Sequence, residues 1–157
     1  MEDSALIDNL DMNSSAVSRA IASLTLIACI GCWPAISHDE VARASSPDGR
    51  VDAVLFETNG GATTSFGYEV ELGRKGSPRG KKVARLYGAV RNAQAYGVDL
   101  RWENDHSLVI ECLHTETPPE MQRSVAVDGR DVQIVLHIGV ENKSAPGGGM
   151  MHNLHKH

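Results

Sequence analysis

Aromatic side chains are scarce in this chain: two Trp, three Tyr and two Phe among 157 residues. A core built from it has to be mostly aliphatic. Cysteine is scarce as well, at three residues, too few for the disulfide framework of a small secreted scaffold. An excess of positive charge is missing, because 15 Lys and Arg face 20 Asp and Glu, for a formal net charge of −5. Nucleic-acid-binding domains are normally basic, so this balance argues against nucleic acid as a partner. Catalytic signatures are missing too. No Ser or Asp sits in a nucleophile elbow, and no His-Glu-x-x-His metal motif occurs. No motif points to a cofactor. What remains is ordinary globular material, 41% hydrophobic and 22% charged, of a length suited to one domain.

Long apolar runs are confined to one stretch, Ala20 to Ile36. It is marginal for a membrane span, which needs about 20 apolar residues, and fits better as the hydrophobic region of an export signal. The preceding Met1 to Asp11 carries Glu2, Asp3, Asp8 and Asp11 and no base. A start at Met12 restores the expected positive flank through Arg19; otherwise residues 1–11 are an acidic extension. The stretch contains Leu26-Ile27-Ala28-Cys29, which resembles the bacterial lipobox. In that family of signals the Cys thiolate takes up lipid and becomes the first mature residue. Cys29 is therefore the lipidation candidate. Cleavage near Ala35, an uncleaved single-pass anchor and a buried helix of a cytosolic chain are the alternatives. Without residues 1–32 the net charge falls to −2, because that segment holds four acids and one base.

Downstream the pattern is that of an all-β domain. Ser46-Pro47-Asp48-Gly49-Arg50 is a strong turn signal, with Pro presetting φ and Gly accepting positive φ. Strands are expected at Val51–Glu57, Phe66–Leu72, Val83–Val90, Val98–Trp102, Ser107–His114, Ser124–Val127 and Arg130–Val140. Phe66, Tyr68, Val70 and Leu72 alternate with Glu69 and Glu71, the mark of a half-buried strand. Pro118-Pro119 interrupts the ladder, and Asp128-Gly129 suits a type I′ hairpin turn. The fold class expected is a single antiparallel meander of about seven strands closing as a sandwich or small barrel, preceded by an N-terminal hydrophobic signal or anchor helix. The layout is a signal or anchor at 1–29, a tether at 30–46, a β domain at 47–145 and a flexible Gly- and His-bearing tail at 146–157.

Ser46 to Leu55 resembles the strand opening of periplasmic β-propeller blades, but a propeller needs at least four four-stranded blades. Ser46 to Ser65, with Asn59-Gly60-Gly61-Ala62-Thr63-Thr64-Ser65, and the later Val98 to Trp102 resemble small bacterial envelope proteins of a domain-of-unknown-function type. That resemblance implies an envelope location and brings no activity.

Three candidate sites follow. Arg74, Lys75, Arg79, Lys81 and Lys82 lie in a loop without an acid, and they can meet an anionic surface such as lipid headgroups. A solvated hairpin loop is the plainer account. His152, His155 and His157 can hold Cu²⁺, Ni²⁺ or Zn²⁺ weakly through neutral imidazoles. Cys112 and His114 are two residues apart and can share a strand face, although Cys112 as a small buried hydrophobe is the plainer account. Cys32, if retained, can pair with Cys112. The Asn59 to Ser65 loop is explained by a long hairpin turn. The functional expectation is a bacterial envelope lipoprotein, membrane-anchored and facing the periplasm or exterior. It would act as a non-catalytic binding or structural accessory module with an envelope protein partner. The alternative is a periplasmic protein binding a small ligand or metal in its interior or through the C-terminal histidines.

Overall fold

The structure, a computed structural model, describes residues 36–150. The signal or anchor helix, Cys29, Cys32 and the C-terminal histidines lie outside the described residues. Within them there are eleven strands: β1 (Ser37–Ser45), β2 (Val51–Asn59), β3 (Gly67–Arg74), β4 (Lys81–Tyr87), β5 (Val90–Asn92), β6 (Ala95–Tyr96), β7 (Asp99–Asn104), β8 (Ser107–Cys112), β9 (Glu120–Met121), β10 (Ser124–Val127) and β11 (Arg130–Ile138). They form a five-stranded sheet in the order β1-β2-β3-β4-β9, a four-stranded sheet β10-β11-β8-β7 and a small β5-β6 ladder.

The period of two along each strand decides what is buried. Ala53, Leu55, Tyr68, Val70, Leu72, Ala84 and Leu86 line the inner face of the larger sheet. Leu108, Ile110, Cys112, Val125, Val127, Val132 and Ile134 line that of the smaller one, and both sets join one core. The two faces thus pack as a sandwich, with Tyr68 the largest fully buried side chain. At the seam between sheets, the Trp102 indole Nε1 donates to the Ala44 carbonyl at 3.0 Å, which links β7 to β1.

The all-β class and the antiparallel pairings agree with the sequence pattern, while the single meander does not. β8 and β11 pair in parallel, from Gln133 against Ser107 to Ile138 against Cys112. The chain leaves β8, passes Pro118-Pro119, adds β9 to the other sheet, then returns through the β10–β11 hairpin. Two further corrections concern the boundaries. Ser37 to Ser45, assigned to the tether, is the edge strand β1, paired along its length with β2. The segment Pro146 to Met150, assigned to the flexible tail, is part of the fold. Gly148 exchanges backbone hydrogen bonds with Gln94 and Tyr96 at 2.8 Å, and the Met150 N–H donates to Glu57 Oε2 at 2.7 Å.

The sandwich has two unlike ends. β1 begins, β2 ends and the 146–150 strap closes at one of them, the strap end. At the other, the turn end, four hairpin turns meet: residues 46–50, 75–80, 105–106 and 128–129.

Candidate functional site

The turn end is built by charge. The turn stretches 46–50, 74–81, 104–107 and 127–130 hold six Lys or Arg and three Asp, in a chain whose overall charge is negative. Asp-Gly-Arg occurs twice there, at 48–50 and 128–130. The two copies exchange partners across the sandwich. Arg130 grips Asp48 with a fork, at 2.7 Å from Nη1 and 3.1 Å from Nη2, while Arg50 pairs with Asp128. The Arg130 Nε is buried without a hydrogen-bond partner, so the guanidinium is held through its two terminal nitrogens. The Asp48 carboxylate also accepts from the Ser46 hydroxyl at 2.7 Å. Arg130 first, then Ser46, hold its pKa well below the usual carboxylate range. The Asp48 N–H donates to Asp105 Oδ1 at 2.8 Å, which ties in the β7–β8 turn. In the 128–129 turn, φ is 51° at Asp128 and 77° at Gly129, as a type I′ turn requires.

The basic loop between β3 and β4 is pinned to this rim. Lys75 N–H donates to the Arg50 carbonyl at 2.9 Å, and Gly76 N–H donates to the Asp52 carboxylate at 2.9 Å. Gly80 N–H donates to Glu71 at 3.1 Å. Asp52 is buried on the outer face of β2 and also receives Arg43 at 2.9 Å and Ser45 at 2.6 Å. Burial pushes its pKa up, but the Ser45, Gly76 and Arg43 donors outweigh burial and leave it lowered.

The five sequence candidates in this loop have different fates. Arg74 pairs with Asp128 at 2.9 Å, Lys81 donates to the Ala126 carbonyl at 2.8 Å, and Lys82 pairs with Glu69 at 2.6 Å on the outer sheet face. Glu69 also faces His38 at 3.5 Å. Burial raises its pKa, and Lys82 and His38 overcome that to leave it lowered. Lys75 and Arg79 make no ion pair among the described residues. Arg74, Arg79 and Lys81 share a groove of about 460 Å³ with Ser77, Gly73, Gly80, Asp128 and the exposed Ala126, with the core residues Leu72 and Val127 buried beneath. Lys82 is on another face, so the cluster of five is not one site. Sequence reasoning missed Asp48, Arg50, Asp128 and Arg130, which support the groove; the repeated Asp-Gly-Arg was the available signal.

Cys112 and His114 are not brought together. Cys112 is in the core and burial pushes its thiol pKa up, so little thiolate forms at neutral pH. His114 lies beyond the strand and is exposed. The interior of the sandwich holds the shared core. In the 59–65 loop, Asn59 Oδ1 accepts from Gly61 N–H at 2.8 Å and Thr64 donates to the Gly61 carbonyl at 3.1 Å, the local bonds of a hairpin connection. At the strap end, Tyr68 OH donates to buried Glu57 Oε2 at 2.8 Å. Burial, then Glu57, raise the Tyr68 pKa. No group of three His, Cys, Asp or Glu suited to a metal ion occurs among the described residues. Comparison with protein families, curated proteins and solved structures gives no match.

Proposed function

We propose that the protein is a bacterial envelope lipoprotein, anchored through Cys29, whose β-sandwich is a non-catalytic binding module presenting its turn end to a partner. The observation that carries this reading is the polarity of the sandwich. Chain from the lipobox-like segment enters at Ser37, at the strap end, and the cationic rim lies at the opposite end. The seven residues Ile30 to Ile36 extend over at most about 25 Å. The nine residues of β1 extend a further 30 Å or about that. The rim thus lies at the far end of β1 from the point where the chain enters the sandwich. Of the exposed large hydrophobics among the described residues, Ile36, Tyr87, Ile138 and Val140 stand at the strap end and Val135 lies mid-strand in β11.

In this reading the cations of the basic loop at the rim serve the partner. The test is fractionation and intact-mass analysis in a Gram-negative host, beside Cys29→Ser. Membrane-bound protein whose mass begins at a lipidated Cys29, lost in the variant, is the expected result. An unprocessed chain, or a soluble product from both, overturns the anchor.

A further inference from the structure

We infer that the groove between the β3–β4 loop and the β10–β11 turn is a binding site for a soluble phosphate monoester, with the phosphate on Arg79, Lys81 and Arg74 and the organic part over Ala126. The inference deepens the binding role proposed for the turn end and rests on that reading.

The walls supply the charge. Asp128 is the single acid lining the groove, and it is already engaged by both Arg50 and Arg74. Arg74 uses Nε for that contact, and its terminal nitrogens are left for a ligand. Lys81 spends one of its protons on the neutral Ala126 carbonyl. Arg79 bonds Ser77 through its backbone alone, and its guanidinium has no partner among the described residues. Three cations thus surround a volume whose one carboxylate is neutralised. A dianion satisfies that arrangement better than a monoanion, and the planar guanidinium fork matches phosphate oxygens in pairs.

The floor supplies the second part of the specificity. Ala126 is its exposed apolar side chain, Leu72 and Val127 being buried beneath in the core, and Gly73 and Gly80 carry no side chain. A volume of about 460 Å³ is that of a small organic ligand. The site is also preformed. A Cβ on Gly80 would lie 2.9 Å from the Leu72 backbone, so the loop is seated tightly on β3. Its hydrogen bonds to Arg50, Asp52 and Glu71 hold it there, and a preformed site spares the ordering cost of binding.

Calorimetric titration of the full chain in neutral detergent, with phenyl phosphate, inorganic phosphate and phosphatidic acid vesicles, tests the assignment. Phenyl phosphate is expected to bind more tightly than inorganic phosphate. Arg79→Gln with Lys81→Gln is expected to weaken it by about tenfold or more, the scale of lost charge-assisted hydrogen bonds. Lys75→Gln removes the same type of charge outside the groove and is expected to change affinity by less than about twofold if the groove, rather than diffuse charge, binds. Thermal melts of each variant confirm that it folds. Equal losses from both variants, no binding of phenyl phosphate, or binding to vesicles alone overturns the site. Cys29→Ser leaves the titration unchanged, so loss of the anchor reading and loss of this site are separable.

Discussion

Buried polar side chains fix the details of this domain. Tyr68 is fully buried and its hydroxyl has one partner, the buried carboxylate of Glu57. Tyr68→Phe keeps the packing and leaves Glu57 with the Met150 N–H, so a loss of about 1–3 kcal/mol is expected in urea unfolding. No change in the midpoint would show that the bond is replaced at no cost. The residues of the candidate site were only partly legible for a related reason. Arg74, Lys75, Arg79, Lys81 and Lys82 stand out in sequence because no acid is near them in the chain. The acids two of them find come from other elements: Arg74 pairs with Asp128, 54 residues on, and Lys82 with Glu69 on the neighbouring strand. Such pairing is invisible until the turns are brought to one end.

Strands differ in how clearly they declare themselves, and burial explains the difference. β3 was legible because Tyr68, Val70 and Leu72 all face one filled interior. β1 was not, because its inward residues past Val41 are the small Ala42 and Ala44, and a register shift between Glu40 and Ala42 breaks its alternation. The strand is still required. A chain beginning at Ile36 is expected to unfold cooperatively, whereas one beginning at Pro47 loses β1, bares the edge of β2 and aggregates. Circular dichroism melts of the two truncations decide; equal melting would reduce β1 to an accessory. β5, β6 and β9 have three, two and two residues, too few for any periodic signal. The β3–β4 loop makes its own prediction. Gly80→Ala pushes a methyl into the Leu72 backbone and is expected to cost about 1–3 kcal/mol, as overpacking does. Retained stability would mean that the loop shifts freely.

At the scale of the molecule, acidity is the clearest lever. Asp48, Asp52 and Glu69 have lowered pKa values in the folded state. Their ordinary values are 3.8 for Asp and 4.5 for Glu. A carboxylate that is more acidic when folded stabilises the fold above its unfolded pKa, and that stabilisation disappears as pH falls through the folded value. The melting temperature should hold level from neutral pH to about pH 5 and fall steeply below about pH 4. Asp52→Asn should start lower and flatten the acid limb, and an unchanged limb would exclude Asp52 as a contributor. The parallel β8–β11 pair belongs to this scale too. Short connections pair neighbouring strands, which is why a meander was the natural reading; the excursion through β9 is a property of the whole chain.

The strap has a practical consequence. Chain enters the sandwich at Ser37 and its described part leaves at Met150, both at the end remote from the four hairpin turns. The domain is therefore wired like a lamp on a single stem, with supply and return beside each other and the lit face unobstructed. Cargo domains fused at either side, or capture on nickel through the histidines after Met150, would crowd one end alone. An immobilised sample would display its charged face in the same sense whichever side held it, so a binding assay on a chip should give one answer for both attachments.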